Sequence, residues 1–303
     1  MALAQDYPNR PVRWVLGFAP GGSPDSVARI ITPQLTAQMG QSVVLDNRPG
    51  AHGMIGGEAL QKAVPDGHTL MLVGIVIWLS PFMRDTMPFD PLRDFAPVTL
   101  AATVPNVLVV HPALPVKSVQ ELIALAKDKP GVLNYATSGS GNSNHIAGEL
   151  FKAMAGVNLV QVNYRGAALA LNDVVSGRVQ AMFATATAAA PYVSAGRLRA
   201  LAVTSARPSV LAPGLPTVTA SGVPGYASES TLGLFAPAAT PPAIIARLNA
   251  ETVAFLRASD TRERLLKSGI EAVTSTPEEF AALIKADMAR TGKIIRAAGI
   301  RME

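Results

Sequence analysis

The chain has 303 residues, long enough for two domains of ordinary size with large cores, and its 49% hydrophobic and 16% charged content excludes a disordered polypeptide. The longest apolar run, Leu70 to Leu79, is about half of what a bilayer-spanning helix needs and reads as a buried strand. The absence of cysteine removes disulfides, thiolate metal sites and cysteine nucleophiles, and the formal charge of +5 comes from scattered Lys and Arg, so nucleic acid is not an expected partner.

In chain order, Ala2-Leu3-Ala4 before Gln5-Asp6-Tyr7-Pro8 resembles the end of a signal-peptide cleavage site, with a start methionine in place of the apolar region. The native protein is therefore expected to be exported. The other reading is an ordinary N-terminus.

Arg13 to Phe18 is a short apolar strand, and the segment from Ser26 carries Val27, Ile30, Ile31 and Leu35 at helical spacing. The turn between them, Ala19-Pro20-Gly21-Gly22-Ser23-Pro24-Asp25, has bare glycines, Ser23 as N-cap, Pro24 at the first helical position and Asp25 in the first turn. A helix start of this kind is a ready carboxylate or phosphate site. It is equally a well-capped connection that binds nothing, and Asp25 counts against an anion. Pro33 falls inside the helical pattern, where a kink or break is expected.

Gln41 to Asp46 reads as a strand. The turn Asn47 to Gly53 leads to a short helix through Leu60 and Ala63, and Thr69 to Ile77 reads as one continuous buried strand. Asp90 to Leu100 and Pro105 to His111 read as further extended segments. Ser118 with Glu121 three residues on is a capping-box signature, opening a helix that Lys129-Pro130-Gly131 ends. Leu133 to Ala136 is a strand running into the small-residue turn Thr137 to His145, followed by a helix with Ile146, Leu150, Phe151 and Met154. This repeats the plan of the opening unit.

Leu159 to Val162, Val179 to Phe183 and Arg199 to Val203 read as strands alternating with helices to Val175 and over Thr185 to Tyr192, which predicts a second parallel sheet. After the Pro- and Gly-rich segment Pro208 to Gly225 come a strand over Leu232 to Ala236 and helices over Ile244 to Leu256, Thr261 to Ser268 and Pro277 to Ala298, the last with Thr276 as N-cap. Two α/β halves, each with an anion-ready turn at the carboxyl end of a strand, predict a ligand held between domains.

Other chemistry finds little support. There is no P-loop, and Gly139-x-Gly141 lacks the third glycine of a dinucleotide fingerprint because position 144 is Asn. No GxSxG elbow exists. His52, His68, His111 and His145 show no metal-ligand spacing. No cofactor and no metal is expected. His145 either donates to an anion or bonds to its own loop. Arg165 either pairs with a bound carboxylate or is a surface arginine in a tight turn.

Read together, Phe18-Ala19-Pro20-Gly21-Gly22-x-x-Asp25, Asn47-Arg48-Pro49-Gly50-Ala51-x-Gly53, Pro65-Asp66-Gly67, Asp94-Phe95-x-Pro97-Val98, Tyr135-Ala136 with His145-x-Ala147-Gly148-Glu149-Leu150-Phe151, Tyr164-Arg165-Gly166, Gly196-x-Leu198-Arg199-Ala200-Leu201-Ala202-Val203 and Leu215-Pro216-Thr217 resemble the Bug family, the receptors of tripartite tricarboxylate transporters. The resemblance covers essentially the whole chain. It implies a type II-like, two-domain Venus-flytrap fold, with domain 1 from residues 5–103 and 226–303 and domain 2 from residues 104–225, hinged near Ala101 to Pro105 and Pro224 to Thr231. It also implies a small organic carboxylate as ligand, the membrane components of a transporter as partner, a monomeric receptor and no enzymatic activity. Carried over, the ligand-binding residues are Phe18, Ala19, Pro20, Gly21, Gly22, Ser23, Asp25 and Gly74 in domain 1, with Ser138, Gly139, Ser140, Ser143, His145, Tyr164, Arg165, Ala184 and Thr185 in domain 2.

Departures from the family pattern sharpen the expectation. Many relatives carry an acid after the Met-Phe at 182 and 183, which in amino-acid binders meets an ammonium group; here the position is Ala184. A ligand with carboxylates and no amine is expected, most simply a dicarboxylate, aliphatic or aromatic. Gly74 and Ser230-Thr231-Leu232-Gly233 are expected to enlarge the cleft, or to be silent packing changes. The alternatives are a binder of amino acids or other carboxylates, an orphan sensing receptor, and an enzyme using His145 with a nearby serine.

Overall fold

Strand β1 (Val12–Leu16) is flanked on both sides by parallel partners, β2 (Val43–Asn47) and β3 (Thr69–Gly74), in the register Val12↔Val43 and Arg13↔Thr69. This is a computed structural model, and it describes residues 7–18, 20, 23–139 and 141–302. The residues of the expected cleavage site, Ala2 to Asp6, lie outside the described residues. Among the described residues no helix is long and apolar enough to cross a membrane.

The chain divides into two compact units, one from the residues up to Thr103 with Thr231–Gly292, the other from Val104–Ser230 with the residues from Lys293 on. The crossings at 103/104 and 230/231 fall inside the two intervals expected to act as hinges. The residues from Lys293 on, expected with domain 1, belong to the second unit, where Ile294 packs against its core.

In the first unit, β9 (Glu229–Pro237) adds to β3 in antiparallel sense, Gly74 opposite Leu232. β10 (Glu271–Ala272) pairs with Ala102 and Thr103 near the middle of β4 (Phe95–Val110). Helix α1 (Ser23–Met39) packs on α8 (Pro242–Arg257) and α9 (Ser259–Lys267). It runs through Pro33 without the expected break, because Pro33 is on the exposed side while Val27, Ile31 and Leu35 anchor the buried stripe.

The apolar run from Thr69 does not continue as a strand to Ile77. β3 ends at Gly74 and the chain turns into a single helical turn, α3 (Val76–Leu79). The cause is tertiary. Trp78 is fully buried, and its indole Nε1 donates to Asp287 Oδ2 at 2.8 Å on α10 (Pro277–Ala297). Trp78, Phe235 and Phe280 form an aromatic cluster with centroid separations of 4.9 to 6.1 Å. α10 opens with a reciprocal capping box: Glu279 N–H donates to Thr276 Oγ1 at 3.1 Å, and Thr276 N–H to Glu279 Oε2 at 2.9 Å.

The second unit holds β5 (Asn134–Thr137) between the parallel strands β6 (Val160–Asn163) and β7 (Ala181–Thr185). The expected all-parallel sheet is corrected here. β4 runs antiparallel to β7, and β8 (Arg199–Val203) antiparallel to β4. The two extended segments expected from Asp90 and from Pro105 are one 16-residue strand. Pro105 falls between the stretch paired with β10 and the stretch paired with β7 and β8.

Alternation along β4 and β7 separates two cores. Leu108, Val110, Ala181 and Phe183 face α4 (Val119–Asp128) and α5 (Ser143–Ala155), while Val107, Val109, Met182 and Ala184 face α6 (Ala167–Val175) and α7 (Ala186–Ser194). Ser118 caps α4 as expected, its Oγ accepting from Glu121 N–H at 3.1 Å.

Candidate functional site

In the first unit the carboxyl ends of β1, β2 and β3 share one edge of a parallel sheet, the edge at which such sheets place ligands. The chain leaves β1 through Gly17 and Phe18. A Cβ at Gly17 would stand 2.9 Å from Gly53 Cα, so the close approach of two backbones requires glycine there. Ala19, Gly21 and Gly22 lie outside the described residues, and Pro20 is exposed. Ser23, expected as a cap outside the helix, is its first residue.

Asp25 is 4% exposed, and its partners explain how a carboxylate is tolerated there. Arg29 Nε donates to Oδ2 at 2.8 Å, and Asn47 Nδ2 lies 3.4 Å from Oδ1 while donating to Phe18 O at 3.0 Å. Asn47, at the end of β2, therefore links the backbone after β1 to the first turn of α1. Asp25 acts as an anchor of the turn. Gly74 is level with Phe18 when the β1–β3 register is continued. The room it was expected to leave is bounded by Leu232, whose Cδ2 would be 3.3 Å from an added Cβ.

In the second unit the equivalent turn follows β5. Ser140 lies outside the described residues. Ser138 is tied to the helix start: Asn144 Nδ2 donates to its Oγ at 2.7 Å, and Asn142 Nδ2 to its carbonyl at 3.2 Å. Asn142 is the N-cap residue of α5 but makes no side-chain cap bond, because its amide is turned back to Ser138. At the start of α5 Ile146 N–H donates to Asn142 O at 3.0 Å, and the amides of Ser143, Asn144 and His145 precede that bond.

His145 is 5% exposed, and its Nδ1 accepts from Gly141 N–H at 3.1 Å. Of the two readings of this residue, the loop bond is the one formed. The proton of the neutral ring then sits on Nε2. Burial lowers its pKa from 6.5, with Glu149 opposing and Lys152 reinforcing the shift. Glu149 is held by Tyr135 OH at 2.5 Å and by Lys152 Nζ at 2.7 Å.

Tyr164 N–H donates to Thr137 O at 2.9 Å, and its hydroxyl to Asp173 Oδ2 at 2.8 Å, which pins the turn before α6 beside the end of β5. Arg165 is exposed in that turn and forms no salt bridge among the described residues. Ala184 faces the apolar core on the α6 and α7 side, away from the face that carries α5. Thr185, half-buried at the end of β7, is on the α5 face. The structure thus brings Ser138, Gly139, Ser143, His145 and Thr185 to one end of the second sheet. Asn47 and Asn144, absent from the expected site, are the residues that shape the two turns. Their signal in the sequence is an amide side chain at a strand end and in a helix's first turn.

Helix starts of this kind are able to hold an anion. A serine nucleophile needs a neighbouring base, and the Nδ1 lone pair of His145 is already engaged by Gly141. Among the described residues no group of three or more His, Asp or Glu can hold a metal ion.

The model of the tripartite tricarboxylate transporter family receptor, TctC, matches residues 27–300. The chain belongs to this receptor family. A relative from Pseudomonas sp. strain P51, described as a UPF0065 protein in the tcbD–tcbE intergenic region, is 40% identical over 95% of this chain and 86% of its own length. Among solved structures, Rpa4515 from R. palustris, described with adipate, is 38% identical, with a TM-score of 0.78 over 98% of this chain and 99% of its own. MatC from Rhodopseudomonas palustris, described with bound malate, is 29% identical, with a TM-score of 0.74 over 95% of this chain and all of its own. The TctC family consists of solute-binding receptors, and the two-domain α/β architecture read from the sequence is theirs.

Proposed function

We propose that this TctC-family receptor captures a small dicarboxylate without an amine in the periplasm and presents it to the membrane components of a tripartite transporter. The observation that carries the reading is the 38% identity, over 98% of the chain, to a protein solved with adipate. Malate in a second relative supports the same class. The candidate donors are the segment Phe18 to Asp25 with Gly74 in the first unit and, in the second, Ser138 to His145 with Tyr164, Arg165 and Thr185. Ala184 offers no charge to an ammonium group, which supports a ligand carrying carboxylates alone. The protein acts by binding and release, without catalysis.

Because ligand stabilises only the state that binds it, a hundredfold excess over Kd adds about 2.7 kcal/mol, a shift of several degrees in the melting temperature. Succinate, adipate, malate and phthalate are the test panel, with glutamate and aspartate as amine-bearing controls. The expected result is stabilisation by at least one member of the panel and by neither control. Stabilisation by the amino acids alone overturns the reading.

A further inference from the structure

Asn106 is fully buried on β4, and neither Nδ2 nor Oδ1 of its side chain has a hydrogen-bond partner among the described residues. Burying an amide without partners costs about 1–3 kcal/mol, and native proteins leave very few such groups without water or ligand. The surrounding backbone gives it no escape. Asn106 N–H donates to Thr204 Oγ1 at 3.0 Å, and Asn106 O accepts from both the N–H and the Oγ1 of Thr204 at 2.9 and 3.0 Å. The Thr204 hydroxyl proton is thereby committed to the backbone of Asn106 and is not available to Oδ1 of its side chain.

Register places this amide. Asn106 is opposite Thr185, and alternation puts both on the face of Leu108 and Phe183, over which α5 packs. β7 in turn neighbours β5, with Ala136 opposite Met182, so continuing the register sets Thr185 level with Gly139. Asn106, Thr185 and the turn before α5 therefore lie in a row across one end of the sheet, at strand spacings of about 4.8 Å. Thr185 is half-buried and makes no side-chain cap bond to α7. The row ends at the helix start already read as the anion turn of this unit.

We propose that Asn106 is a specificity-determining residue of this site, its Nδ2 donating to a carboxylate oxygen of the bound acid and its Oδ1 accepting from a water shared with the Thr185 hydroxyl. An amide suits this position because it supplies a donor for a carboxylate without adding charge, and an acceptor for water at the same time. The inference rests on the dicarboxylate reading above and adds a residue that the family resemblance did not supply.

The test titrates wild type, Asn106→Leu and Asn106→Asp with succinate, adipate, malate and phthalate by calorimetry, after circular dichroism has established folding. The expected result is at least a tenfold loss of affinity in N106L. In N106D a larger loss near neutral pH is expected, recovering as pH falls and the introduced carboxyl is protonated, a dependence that a packing role does not produce. A wild type that binds none of the four acids overturns the dicarboxylate reading itself. A wild type that binds one of them, with variants that bind it equally well, overturns the role of Asn106 alone. A crystal structure of wild type with the tightest-binding acid decides the case even if both variants fail to fold. Nδ2 within hydrogen-bond distance of a ligand oxygen supports the proposal, and an amide paired wholly with protein or with water remote from the ligand overturns it.

Discussion

Gly141 donates its backbone N–H to Nδ1 of His145 across 3.1 Å, so the histidine closes its own loop with its lone pair and keeps its proton on Nε2. Burial, the largest influence on it, holds the ring below the ordinary 6.5. The neutral ring is therefore the form that favours folding. Its contribution is fully present above 6.5 and is lost as pH falls through the lower folded value. Chemical denaturation across acidic pH is expected to show this loss, and His145→Gln is expected to flatten it. A ring seen by nitrogen-15 NMR as protonated at neutral pH contradicts the assignment.

Asp25 anchors Asn47 and Arg29, and Asn47 in turn holds the carbonyl of Phe18. Asp25→Ala is expected to weaken dicarboxylate binding by about tenfold, equivalent to about 1.4 kcal/mol, because Asn47 loses one of its two fixed points. Arg29 is on the exposed side of the pair, with 58% side-chain exposure, and Arg29→Ala is expected to change affinity little. Equal effects of the two substitutions, measured by calorimetry, would show that the ion pair and not the Asn47 link matters.

Gly148 seats α5 against β5. A Cβ there would stand 2.2 Å from Tyr135 Cε2, and the ring is held in place by the bond from its hydroxyl to Glu149. Gly148→Ala is expected to destabilise the second unit by about 1–3 kcal/mol through overpacking. Thermal denaturation monitored by circular dichroism checks this, and an unchanged midpoint would mean that the helix can lift without cost.

Arg165 is exposed, and Tyr164 beside it is fixed by Thr137 and Asp173. Arg165→Gln is expected to leave stability within about 0.5 kcal/mol while slowing association with a dicarboxylate, the difference shrinking at high salt. Stopped-flow measurements at two ionic strengths test it. Association rates unaffected at low salt would assign Arg165 to the surface alone.

Tyr164 carries a phenol pushed up to about 12, first by burial and then by its bond to Asp173. Alkaline spectrophotometric titration of the native protein is expected to lose one late-ionising tyrosine in Tyr164→Phe. Loss of an early-ionising one would show that the turn before α6 is open to solvent.

Much of this protein is determined by neighbours a few residues apart, and that part was legible. The caps at Ser118 and Thr276, the strand, turn and helix at Arg13 to Met39, and its counterpart at Asn134 to Ala155 follow from local rules of amide pairing and side-chain period. Sequence by itself therefore determined that a helix follows each of these two strands and, through the ordered motifs around them, the receptor family. Only the tertiary structure decided the rest. The run from Thr69 became strand and then helix because Trp78 meets Asp287, 209 residues away. β4 runs against β7, and the Asn106 amide side chain is buried without a partner among the described residues, because strand direction and side-chain neighbours depend on which distant segments share a sheet. His145 chose its own loop by where Gly141 placed its N–H. Local pattern sets backbone geometry within a turn or two, whereas partners for buried polar groups are fixed only when the whole chain has packed.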